Sequence, residues 1–183
     1  RLVWEVGEMS RALGIVLLAV FGVFGAACGS GNAAGRYDIT LQLGSSVAGA
    51  EGASIPSLEA DLVGVSDFDM ERWSNHSMTE YFGGQDTLRA EAPKYTMQFS
   101  SESPDPKTLD AKDSVWETWK QRSATHVFVL INLPGVRDDR AGDQDARRLI
   151  LPLAKNRWSG RDILIEVQRS GLVPLTRVRP AEN

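Results

Sequence analysis

The chain has 183 residues, of which 42% are hydrophobic and 24% charged, with a formal net charge of −4. A weakly acidic chain with no long basic run is a poor nucleic-acid binder. Its single cysteine, Cys28, excludes an intramolecular disulfide.

Met9-Ser-Arg11 opens a short positive segment, and Ala12 to Ala27 is a 16-residue apolar run that ends in small residues directly before Cys28. This order matches a secretory signal peptide. The run is shorter than the ~20 residues a helix needs to cross a bilayer. An uncleaved membrane anchor and a buried core helix remain competing readings of the same residues. Ala26-Ala27-Cys28 resembles the lipobox of bacterial lipoproteins. That resemblance implies acylation of the Cys28 sulfur, with Cys28 as the mature N-terminus and the lipid as the only non-protein group. The expected organisation is an upstream extension and signal over 1–27, a lipidated cysteine and Gly/Ala/Ser/Asn tether over 28–35, and one domain over 36–183.

Tyr37–Leu43 alternates, with Tyr37, Ile39, Leu41 and Leu43 on one face, and predicts a half-buried strand. Gly44–Pro56 is a run of small residues, too long for a tight hairpin, and reads as a loop. Ser57–Val65 predicts a second strand. A helix is expected from Ser66 to Phe82, with Met70, Trp73, Ser77 and Tyr81 as a stripe, stopped by Gly83-Gly84. Residues 85–93 read as polar connection, Tyr95–Phe99 as a strand, and Ser100–Asp110, with Pro104 and Pro106, as loop. Ser114-Val-Trp-Glu117 has the form of a capping box and opens a helix ending near Arg122. Thr125–Leu133 is continuously apolar and predicts a central strand covered on both faces. A charged loop over Val136–Ala146 leads to a strand at Arg148–Leu153, where Pro152 argues for an edge or bulge. Strands at Asp162–Gln168 and Leu172–Arg179 follow. Strands without alternating helices predict a mainly β, antiparallel two-sheet sandwich with one or two short inserted helices.

The chemistry-bearing residues are sparse. His76 and His126 are the only histidines, no Gly-x-Ser-x-Gly elbow is present, and zinc would lack ligands. The chain is therefore read as non-catalytic. Asp138–Asp145 offers carboxylates for calcium but departs from the EF-hand spacing, and Arg137 and Arg140 compete for them, so a solvated hairpin tip is the better reading. Lys155–Arg161 is a basic turn holding Trp158. It suits lipid headgroups or an acidic partner, or is simply a charged tip. Trp73, Trp116, Trp119 and Trp158 suggest either a carbohydrate platform or, at helical spacing, core.

The order of elements resembles the TssJ-type outer-membrane lipoproteins of type VI secretion. The matching stretches are Tyr37–Leu43, Ser54–Val65, Phe68–Phe82, Thr125–Leu133 and Arg148–Val167. The inserted Ser100–Arg122 departs from that pattern. The resemblance implies a transthyretin-like sandwich, anchored by lipid at the periplasmic face of the outer membrane. It also implies that the first inter-strand loop recruits an inner-membrane protein with a periplasmic domain. In this chain the loop residues so implied are Ser45, Ser46, Val47, Glu51, Ser54, Ile55 and Pro56. The alternative function is a tethered periplasmic binding module for a small solute or glycan.

Overall fold

The computed structural model describes residues 34–48 and 54–180; Cys28 and Glu51 lie outside them. Strands β1 (Asp38–Leu43), β2 (Leu58–Val65), β3 (Lys94–Phe99), β4 (Lys107–Leu109), β5 (His126–Ile131), β6 (Arg148–Pro152), β7 (Asp162–Gln168) and β8 (Gly171–Pro174) form two four-stranded sheets. Their orders are β4-β1-β7-β8 and β3-β2-β5-β6. The sandwich expected from the alternation is present. One pairing differs from the antiparallel expectation: β1 and β7 run parallel, in register from Asp38↔Asp162 to Leu43↔Val167. Period-2 alternation specifies which face is buried and says nothing of a neighbour's direction.

The inward faces meet in one core. Ile39 and Leu41 of β1, Leu58, Ala60 and Leu62 of β2, Val127, Val129 and Ile131 of β5, and Ile163, Ile165 and Val167 of β7 fill it. Trp116 and Trp119, on helix α5 (Val115–Gln121), complete the same cluster. The other face of the second sheet is also covered. Val63, Val65, Phe128 and Leu130 pack there against Trp73, Met78, Tyr81 and Leu88. These belong to a layer of short helices, α2 (Met70–Asn75), α3 (Met78–Tyr81) and α4 (Thr87–Glu91). The continuously apolar β5 is thus buried on both faces, as a run without alternation requires.

Several elements depart from expectation. The single helix over 66–82 is broken at His76, whose ψ is 136°. The Ser77 hydroxyl accepts from Glu80 N and caps α3. Arg148 Nη1 donates to Ser74 O at 2.6 Å and Nη2 donates to His76 O, taking carbonyls that a continuous helix would use itself. The polar stretch 85–93 contains α4, capped by Asp86, which accepts from Arg89 N at 2.7 Å. The stretch 100–110 contains β4, which pairs antiparallel with β1. Ser114 makes no capping hydrogen bond; Asp113 accepts from Val115 N at 2.8 Å instead. The last strand stops at Pro174. Helix α1 (Ser45–Ala48) forms a turn where loop was expected.

Candidate functional site

Strand β1 sets the polarity of the domain. The chain enters it beside β6, where Ala34 pairs with Ala154 and Gly35 N donates to Leu153 O at 2.7 Å. It leaves at Leu43, where Gly44 N donates to Val167 O at 2.9 Å. The tether side and the 44–56 segment therefore lie at opposite ends of one strand, about 20 Å apart for six residues at ~3.3 Å each.

The two arms of the 44–56 segment are fixed at their bases. On the first arm, Val47 N and Ala48 N both donate to Gly44 O at 2.9 Å, closing α1. Ser45 and Ser46 are exposed, and the Ser46 hydroxyl accepts from Arg169 N at 3.2 Å. Val47 turns inward and is 5% exposed. It was expected to face a partner, and it holds the loop to the core instead. On the second arm, Ser54 and Pro56 are exposed and Ile55 is half-buried. Ile55 N donates to Ser101 Oγ at 2.9 Å, and Ser101 Oγ donates to Ile55 O at 3.2 Å. The segment 100–103 thus braces the second arm.

The charged stretch 136–146 is pinned against α2 and α3. Arg147 Nε donates to Asp145 Oδ1 at 2.9 Å and Nη2 to Asp145 Oδ2 at 2.8 Å, while Nη2 also reaches Asp139. Asp139 further accepts from Thr79 N at 3.0 Å and from the Ser77 hydroxyl. Burial works against the Asp139 carboxylate, but the bonds from Ser77, Thr79 and Arg147 prevail and hold its pKa at about 2. The Asp139 and Asp145 carboxylates, read as possible calcium ligands, are thus committed to Arg147. Asp61 is fully buried on the same face of the second sheet and accepts from Tyr81 Oη at 3.1 Å, Arg89 Nε at 2.9 Å and Thr96 Oγ1 at 2.6 Å. Burial, with Asp61 beside it, pushes the Tyr81 hydroxyl above its ordinary range.

The histidines stand apart. His76 Nε2 lies 2.8 Å from Asp86, while His126 Nδ1 lies 3.0 Å from the Thr125 hydroxyl. That hydroxyl donates to Asp67 at 2.6 Å. Among the described residues the Trp side chains are core: Trp73, Trp116, Trp119 and Trp158 are all buried. The indole N–H groups of Trp116, Trp119 and Trp158 are spent on the carbonyls of Asp110, Pro93 and Pro152. The cavity between Trp116 and Trp119 holds about 40 Å³, far below the ~300 Å³ at which ligand sites begin.

No family model and no curated protein matches the sequence. Solved structures do match. A chain of a type VI membrane complex is 15% identical over 78% of this chain and 99% of that one, with a TM-score of 0.52. A chain from the structure of the T6SS protein TssM C-terminal domain from EAEC is 13% identical over 76% and 99%, with a TM-score of 0.50. The fold is one found in type VI secretion membrane complexes. The T6SS lipoprotein TssJ1 from Pseudomonas aeruginosa is 12% identical over 82% of this chain and 100% of that one, at a TM-score of 0.47. At these identities the likeness is one of fold.

Of the residues expected to matter, Ser45 and Ser46 sit on the first arm of the 44–56 segment and Ser54, Ile55 and Pro56 on the second, while Cys28 and Glu51 fall outside the described residues. Sequence reasoning missed Ser101 and Arg169, the loop's braces. Ser101 sits in a stretch with no periodicity, and Arg169 in a two-residue turn between β7 and β8.

Proposed function

We propose that this chain is a lipid-anchored, non-catalytic component of a type VI secretion membrane complex. Cys28 holds it at the periplasmic face of the outer membrane, and the 44–56 loop recruits a partner. The observation that supports this most is the polarity of β1. The strand begins at Asp38, on the tether side of the domain, and ends at Leu43, so an anchored domain presents its loop away from the membrane. The shared fold supports the same reading. The partner that fits is an inner-membrane protein with a periplasmic domain.

A photo-crosslinking residue at Ser54 tests it in cells. Ser54 is expected to yield an adduct with an inner-membrane protein, and a crosslinker at Ser159, at the other end, is expected to yield none. Equal adducts from both ends, or none from Ser54, would remove the recruiting role. The alternative, a tethered solute or glycan module, finds only about 40 Å³ beside Trp116 and Trp119.

A further inference from the structure

The end of the sandwich where the chain enters at Ala34 has a composition that partner recruitment does not use. Segments 155–161 and 175–179 carry five cations, Lys155, Arg157, Arg161, Arg177 and Arg179, and no carboxylate. Arg157 Nε donates to Arg179 O at 2.7 Å and Arg179 N donates to Arg157 O at 2.8 Å, so the two segments form one surface. Beside them a cavity of about 570 Å³ is lined by Arg36, Lys155 and Arg161 along with Tyr37 and Trp158. Lys155 and Arg161 are exposed. The nearby carboxylates are partly engaged: Glu117 pairs with Arg36, and Asp67 takes the Thr125 hydroxyl, leaving Asp162 exposed next to Arg161.

The same end bears the large apolar side chains that the fold leaves in solvent. Among the described residues these are Phe68, 95% exposed, and Leu175, 48% exposed. Phe68 lies in the turn that follows β2, whose last residue Val65 accepts from Thr125 N at 2.9 Å at this end. Leu175 leaves β8 toward Arg179. Clustered cations with an exposed aromatic form the composition that settles on an anionic lipid surface, where charge meets phosphate and the ring enters the interface.

The chain between Cys28 and Ala34 adds the geometry. Six residues span at most about 20 Å, so acyl chains on Cys28 keep this end within that reach of the bilayer. We infer that this face rests on the headgroups of an anionic bilayer, with Lys155 and Arg161 at lipid phosphates and Phe68 in the interface. The inference takes its orientation from the lipid-anchor reading. It adds a second attachment, which fixes how the domain stands on the membrane.

The mature acylated chain, with a fluorophore on Ser159→Cys, is reconstituted into phosphatidylcholine vesicles with and without phosphatidylglycerol, plus a headgroup-confined quencher. Quenching is expected to be strong with phosphatidylglycerol and weak without it. It should vanish in about 0.5 M salt, where the Debye length falls to a few ångströms. Lys155→Glu or Arg161→Glu should each weaken it by more than about five-fold, since a reversal removes one surface cation, worth about that factor, and adds an opposing charge. Both side chains are exposed, so these variants keep the fold. A fluorophore on Ser54→Cys, at the far end, should stay unquenched. Equal quenching at Ser159 in both vesicle types, or indifference to both reversals, overturns the inference. So does loss of quenching on adding millimolar inorganic phosphate at constant ionic strength, which would make the cavity a small-anion pocket. The intact mass of residue 28 tests the anchor separately. If Cys28 carries no lipid, the anchor reading fails alone. Flotation of the labelled chain with the two vesicle types then decides the surface, and no preference for phosphatidylglycerol sinks it.

Discussion

Gly64 shows how tightly the core is drawn around single residues. It faces Trp119, and a Cβ built on it would land inside the indole side chain. The Trp119 indole is itself fixed by its bond to Pro93 O, so it cannot swing away cheaply. Gly64→Ala is expected to cost about 1–3 kcal/mol, the usual range for overpacking, measured as a lower urea midpoint. Arg147 is the second such residue. Replacing it with Met leaves buried Asp145 with only the amides of Arg147 and Arg140 as donors. The expected loss is toward the lower end of the about 3–5 kcal/mol for breaking a buried pair. Asp139 and Asp145 are both held below the ordinary carboxylate range. Their contribution to stability is therefore complete above about pH 4. For Asp139 it is lost as pH falls from there through about 2. Thermal unfolding across that interval should show the melting temperature falling, and Asp139→Asn should flatten the fall.

At the scale of elements, the strands were legible because alternation reports directly on burial. Tyr37, Ile39 and Leu41 are buried as their spacing required, and β5 is covered on both faces. The helix break at His76 was not legible, because the group that stabilises it, Arg148, is more than 70 positions away in sequence. The Met70–Tyr81 stripe survives the break, since both short helices still pack on Phe128 and Leu130. Strand β4 was hidden by Pro104 and Pro106, which end before it begins, and α4 was hidden by its brevity. Val47 carried no signal of its own in a run of small residues. Ser77→Ala tests the break: it removes the α3 cap and one donor to Asp139. A loss of about 0.5–2 kcal/mol is expected from the cap, together with weaker amide protection in α3 by hydrogen exchange. No change in either would mean that Arg148 alone holds the break.

The whole molecule was readable as a sandwich, and the neighbours of its first strand were not. The alternation of β1 shows neither that β7 runs parallel to it nor that β4 covers its other edge. The extended form of β1 is enough by itself to set the tether side and the 44–56 loop at opposite ends. The anchoring half of the proposal has its own test. Cys28→Ser is expected to leave the protein in the periplasmic soluble fraction; retention in the membrane fraction at wild-type level would refute lipid attachment as the main hold.

The position of β1 also has a mechanical consequence. A pull between a membrane-held Cys28 and a partner on the loop runs along this one strand. β1 lies inside its sheet, with six residues in register with β7 and three with β4. Ladder hydrogen bonds lie across the strand axis, perpendicular in the β4 pair and slanted in the β7 pair. Tension along β1 therefore loads them together, in shear, and does not peel them one at a time from an edge. In the proposed anchored assembly, the load would fall on an inner strand that is paired along both edges.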